Sequence, residues 1–190
     1  MMTHPAPDLP SRERQSPDWH PRKWRSPRLL ALQAVLTLIG ATAFCVFSRS
    51  WADKAHLWYD IPAGLVTFGF VAQLVIEFPH NARSRFWRYR LAALIAMTVI
   101  TVGRQYADWT ISGHLTCVLA VAMIQAQDQR LSRLERIAYC TPISIVLYLR
   151  LALLEWGSHT ATWNALIAGF FLGAGAIIAA RETSDAKKMM

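Results

Sequence analysis

The chain has 190 residues and a formal net charge of +8, with 54% hydrophobic and 17% charged residues. A soluble domain carries roughly a quarter charged residues. Here the apolar residues instead fall in long blocks of about 20, matching a bilayer core, so an ordinary soluble domain is excluded. The basic residues lie between these blocks rather than along one stripe, which suits control of membrane topology and argues against nucleic acid as a partner.

Residues 1–27 are polar and carry six prolines. Such a segment has too little apolar surface to offset its ordering entropy, so it is expected to be a disordered cytoplasmic tail. No apolar core follows the first few residues, so it is not a secretory leader. Its basic end, Arg22 to Arg25 with Arg28 beyond, reads as a juxtamembrane stop facing anionic head groups. The transmembrane domain is expected over 28–181, with spans near 29–47, 61–78, 91–106, 111–126, 137–154 and 163–180. The first loop, from Arg49 to Asp60, is rich in Trp and Tyr, as at a membrane interface. The second loop, His80 to Arg90, holds four arginines, and Glu77 just before it is expected to reach the head groups. Residues 182–190 form a short polar tail on the cytoplasmic side. Cys45, Cys117 and Cys140 all lie inside apolar blocks without CxxC spacing and read as small hydrophobes.

With the N-terminus inside, sixteen of the twenty Lys and Arg fall on the inner side, all but Arg49, Lys54, Arg104 and Arg150. The positive-inside rule is then obeyed at every loop. The expected architecture is all-α, a six-transmembrane-helix bundle with both termini in the cytoplasm. It gathers Arg104, Asp108, Ser112, Gly113, His114, Arg150, Glu155, Ser158, His159 and Asn164 on the outer face.

An unpaired arginine within a span is costly, so Arg104 reads as snorkelling to the interface, while Arg150 reads either as the partner of an acid or as an anion site; Glu155 is the acid about one turn from Arg150. Ser112-Gly113-His114 opens the fourth span. A helix start offers free N–H groups to an anion, glycine lets the anion approach, and serine adds a hydroxyl donor. The alternative is an ordinary N-cap and turn. His114 and His159 on one rim suit phosphoryl transfer, since one imidazole can attack phosphorus and the other can protonate the leaving oxygen. A metal set built from His56, His114 and His159 with Asp60, Asp108 and Glu155 is a weaker reading, because no HExxH or similar spacing occurs and His56 and Asp60 are expected on a loop.

Six spans, Ser-Gly-His at the start of the fourth, an arginine late in the fifth, and a histidine before the Ala-Leu-Ile-Ala-Gly start of the sixth resemble the type 2 phosphatidic acid phosphatase superfamily. The resemblance covers roughly residues 60–180. It implies a metal-independent lipid phosphatase, diphosphatase or phosphotransferase, without cofactor, in a bacterial cytoplasmic membrane, with phospholipid or isoprenoid phosphates as substrates on the outer face. It further implies His159 as nucleophile, His114 as acid, and Arg104, Ser112, Gly113 and Arg150 as phosphate ligands, with Asn164 and Asp108 in support. The sequence departs from the family pattern at Met97 and Gln105, where lysine and proline are usual, and at Ile111 in place of proline. Trp163 stands where an aspartate follows the histidine, and Arg150 precedes His159 by nine residues instead of six. The alternative function is a non-catalytic lipid head-group binder or scaffold, whose polar residues would pair with one another.

Overall fold

The computed structural model describes residues 26–47, 54–82, 84–128, 131–152 and 159–188. The N-terminal tail, most of the Trp-rich first loop, Arg83, Arg130 and the segment with Glu155 and Ser158 lie outside the described residues. The described residues form six helices: α1 Pro27–Phe47, α2 Lys54–Asn81, α3 Arg85–Tyr106, α4 Gly113–Ala126, α5 Arg133–Ala152 and α6 His159–Lys188. Among the described residues there is no strand. Four helices among the described residues, α1, α2, α3 and α6, are long and apolar enough to cross a membrane. The apolar α4 has only 14 residues, about 21 Å at 1.5 Å per residue. These helices are those of a membrane protein.

Contacts fix the direction of every helix. Ser112 N donates to Ala161 O, and Leu119 and Met123 face Gly169 and Gly173, so α4 and α6 run in parallel. Asp60 meets His114 at one end and Gln73 meets Gln125 at the other, so α2 runs the same way. Thr101 lies against Gly113 while Arg90 lies near Asp128, so α3 is reversed. Tyr139 beside Gly69, and Val146 in one cluster with Ala63 and Leu115, reverse α5. Thr37 beside Gly69 and Phe44 beside Gly64 reverse α1. The result is an up-and-down bundle. The starts of α2, α4 and α6 share one end with the finishes of α1, α3 and α5.

Helix α4 is the centre. Leu115, Val118, Ala120, Val121 and Ile124 are fully buried, and α4 contacts α2, α3, α5 and α6. Its closest neighbour is α6, through Gly169 and Gly173. A Cβ on Gly173 would sit 2.4 Å from Met123 Cβ, and one on Gly169 would sit 3.0 Å from Leu119 Cβ. Small residues four apart let membrane helices approach closely where dispersion, rather than water exclusion, drives association. Because Met123 Cβ is fixed by its own backbone, Gly173→Val should force the two helices apart. Overpacking of this kind costs about 1–3 kcal/mol, and a lowered unfolding midpoint in detergent checks it.

Several boundaries differ from expectation. The second loop is much shorter than the sequence suggests, because α2 continues to Asn81 through Pro79 and α3 starts at Arg85. Its arginines 85, 88 and 90 are therefore helical. Ser84 caps α3, its hydroxyl accepting from Trp87 N at 3.0 Å. Prolines 62, 79 and 142 sit within helices, as membrane helices tolerate. His56 and Asp60 lie on α2, not on a loop. The expected C-terminal tail is helical as far as Lys188.

Glu77 and Arg90 are the largest departure. Glu77 does not reach the head groups; it is 1% exposed, and Arg90 is fully buried. Arg90 Nη1 lies 2.7 Å from Glu77 Oε2 and 3.8 Å from Asp128 Oδ2. Gln73 Nε2 donates to Glu77 Oε1 at 2.7 Å, and Gln125 Nε2 donates to Gln73 Oε1. The guanidinium carbon is 5.2 Å from the centroid of the Phe70 ring and 5.7 Å from that of Phe86, within cation–π range. A charge removed from water must be paired to be tolerated. This cluster ties α2, α3 and α4 together at the end opposite His114.

Candidate functional site

The end of the bundle formed by the starts of α2, α4 and α6 carries the described polar residues that the sequence singles out. Helix α3 finishes with Arg104 in its last turn, exposed, where a cation complements the helix dipole. The chain then turns through Asp108, exposed with φ 51°, a conformation aspartate adopts more readily than most residues. The Trp109 ring folds back over Gly103, where a Cβ would lie 2.6 Å from Trp109 Cε3. Gly103 is thus what lets the turn lie flat on α3. Asn164 Nδ2 donates to Thr110 O at 2.7 Å. Asn164 therefore fastens the α3–α4 turn to the start of α6.

Ser112 occupies the N-cap of α4 but makes no side-chain cap bond. Its backbone N–H donates to Ala161 O at 3.2 Å and its carbonyl accepts from Thr116 Oγ1 at 2.9 Å. Its hydroxyl is buried and has no hydrogen-bond partner among the described residues. Gly113 is pressed against Thr101, whose Oγ1 would lie 3.2 Å from an added Cβ. Ser112, Gly113 and the start of α6 are therefore brought together. His159, two residues before Ala161, is the first residue of α6 and is exposed.

His114 points towards α1 and α2, on the side of α4 away from Ser112, Thr116 and Leu119, which face α6; the two histidines share an end of the bundle but not a face of α4. Its Nε2 is 2.6 Å from Asp60 Oδ1, with the histidine side chain 26% exposed and the aspartate 6%. The Phe44 ring stands edge-on to the imidazole, with centroids 6.2 Å apart. The bond to Asp60 sets both ring orientation and proton position. Nε2 carries a hydrogen directed at the carboxylate, and Nδ1 is left to face another group. Asp60 is the functional candidate that sequence reasoning left in a minor role. A clue was available in its position, one acidic residue at the start of an apolar span at the same end as His114.

No protein-family model, curated protein or solved structure matches the chain. The site therefore stands on its own geometry. Arg150 lies in the last turns of α5, at the same end; its side chain lies outside the described residues, as do Glu155 and Ser158. Among the described residues, no three His, Cys, Asp or Glu side chains form a group that could hold a metal ion.

Proposed function

We infer that the protein acts on the phosphate group of a membrane lipid, as a phosphatase or phosphotransferase, with its site at the end of the bundle that holds His114 and His159. The observation that carries this reading is the bond between His114 Nε2 and Asp60 Oδ1 at 2.6 Å. A carboxylate-held imidazole beside a helix start is suited to proton transfer at an anion. The Ser112 hydroxyl, buried without a partner among the described residues, adds a donor beside the N–H groups that a helix start leaves unsatisfied. Arg104 supplies positive charge at the same end, where the last turns of α5, with Arg150, also finish.

In the proposed reaction the exposed His159 attacks phosphorus, a P–N bond forms, and the P–O bond to the lipid alcohol breaks. His114, as imidazolium, keeps Nε2–H on Asp60; because it faces α1 and α2, a water carries its Nδ1 proton across the start of α4 to the departing oxygen. Water then attacks the phosphohistidine, loses its proton to His114 Nδ1, and releases inorganic phosphate; a lipid alcohol in place of water would make the reaction a transfer. The resemblance to the type 2 phosphatidic acid phosphatases supports the same assignment of roles, and with it a site on the outer face of a bacterial cytoplasmic membrane.

A second reading is a head-group binder without chemistry. It is favoured by the pairing of His114 with Asp60 and of Asn164 with Thr110, which satisfies these groups without a substrate. Phosphate release from a panel of phosphatidic acid, phosphatidylglycerol phosphate and isoprenoid diphosphates, in detergent, separates the two. The phosphatase reading expects release that a chelator leaves intact and that His159→Ala abolishes. Binding of these lipids without release by the folded protein would establish the second reading instead.

A further inference from the structure

At the opposite end of the bundle, an open groove of about 580 Å³ runs along α5. It is lined by Arg133, Arg136, Ile137, Cys140, Thr141 and Ser144, with Ala126 of α4 at its rim. The α5 residues recur at the spacing of a single helix face. Both arginines sit at its head, and the uncharged residues follow for about 12 Å along the helix at 1.5 Å per residue.

The arginines are not explained by helix stability. They occupy the first turn of α5, where the positive end of the helix dipole disfavours cations. That helix start is already capped without them. Ser132 N donates to Glu135 Oε2 at 2.7 Å and Glu135 N to Ser132 Oγ at 3.2 Å, a reciprocal capping box. Arg136 Nε is buried and has no hydrogen-bond partner among the described residues. A buried guanidinium N–H without an acceptor calls for one, and an anion between the two arginines would supply it.

We propose that this groove is a docking site for an anionic phospholipid, its head-group phosphate held by Arg133 and Arg136 and one acyl chain lying over Ile137, Cys140 and Ser144. Charge complementarity selects the occupant. Basic pockets beside membrane helices favour anionic over zwitterionic head groups, and the exposed Ile137 below the arginines suits a hydrocarbon tail. About 20 Å of α4 separates this groove from His114, so it is distinct from the site of proposed chemistry and does not depend on it.

Cys140 is exposed in the groove, whereas Cys45 is buried and Cys117 half-buried, which provides a reporter. The full-length protein in non-ionic detergent micelles is doped with phosphatidylglycerol or with phosphatidylcholine, and maleimide labelling of Cys140 is timed by peptide mass. Phosphatidylglycerol should slow labelling at least threefold relative to phosphatidylcholine. Arg133→Gln with Arg136→Gln should remove the difference, and the Lys pair should retain it. Unchanged labelling of Cys45 and Cys117 reports that each variant is folded. Equal rates in the two lipids, or a difference that survives the Gln pair, would overturn the proposal. Protection by inorganic phosphate alone would reduce the site to an anion site. Lipid-independent protection that rises with protein concentration, with a Cys140–Cys140 disulfide on oxidation, would assign the groove to a second copy of the chain.

Discussion

Arg90→Ala is expected to lower unfolding stability by about 3–5 kcal/mol, the cost typical of breaking a buried ion pair. The side chain is fully buried and lies between Glu77 and Asp128, with Nη1 2.7 Å from Glu77 Oε2. Its removal leaves two carboxylates in the interior without the guanidinium between them, and it also removes a cation stacked on Phe70 and Phe86. Glu77→Ala should cost somewhat less, because the arginine loses its nearest carboxylate but keeps Asp128 at 3.8 Å. The pair Arg90→Met with Glu77→Leu should recover much of the loss, since well-packed apolar replacements of a buried pair are often neutral. Unfolding in a denaturing detergent, measured for the wild type, the two single variants and the pair, gives the coupling directly. Near-additive losses would mean that Glu77 and Arg90 act independently.

After loss of the nucleophile His159 itself, the largest effect on activity is expected at His114. General acid–base catalysis contributes typically 10²–10⁴-fold, so His114→Ala should lower turnover of a lipid phosphate by about 10²-fold or more. Asp60→Asn should cost less. An amide oxygen can still accept the Nε2 hydrogen and hold the ring, but it lacks the charge that supports an imidazolium in the transition state. Asp60→Ala loses both and should approach the His114 variant. A graded series of His114→Ala, Asp60→Ala and Asp60→Asn, with turnover falling more than KM rises, is the expected result. Equal activity in all three would remove this pair from the chemistry.

The architecture was legible because hydropathy blocks and arginine-bearing loops are long-range patterns that any membrane imposes. The six helices, and the meeting of the α4 and α6 starts, follow from them. Where the reading failed, the reason was local. Four arginines close together suggest a solvated loop, but Arg90 faces inward because α3 begins at Arg85 and places it on the side of α2 and α4. Glu77 likewise reads as snorkelling until its partner is known, and that partner is 13 residues away across a turn. The partner of His114 was hidden for a similar reason. Asp60 is 54 residues earlier, and only the parallel packing of α2 and α4 brings the two together. Asn164, adjacent to the position where an orienting aspartate was expected, is instead used to hold the Thr110 carbonyl. No spacing rule anticipates a bond to a backbone carbonyl 54 residues away.

The central claim is that phosphoryl transfer occurs at the end of the bundle holding His114 and His159. The most direct measurement is to mix the protein with a phosphate-radiolabelled lipid substrate, quench without acid, and map any labelled peptide. The expected result is an acid-labile phosphate on His159, absent from His159→Ala and formed more slowly in His114→Ala. Lipid turnover with no such adduct, or an adduct on a residue at the other end of the bundle, would contradict the account.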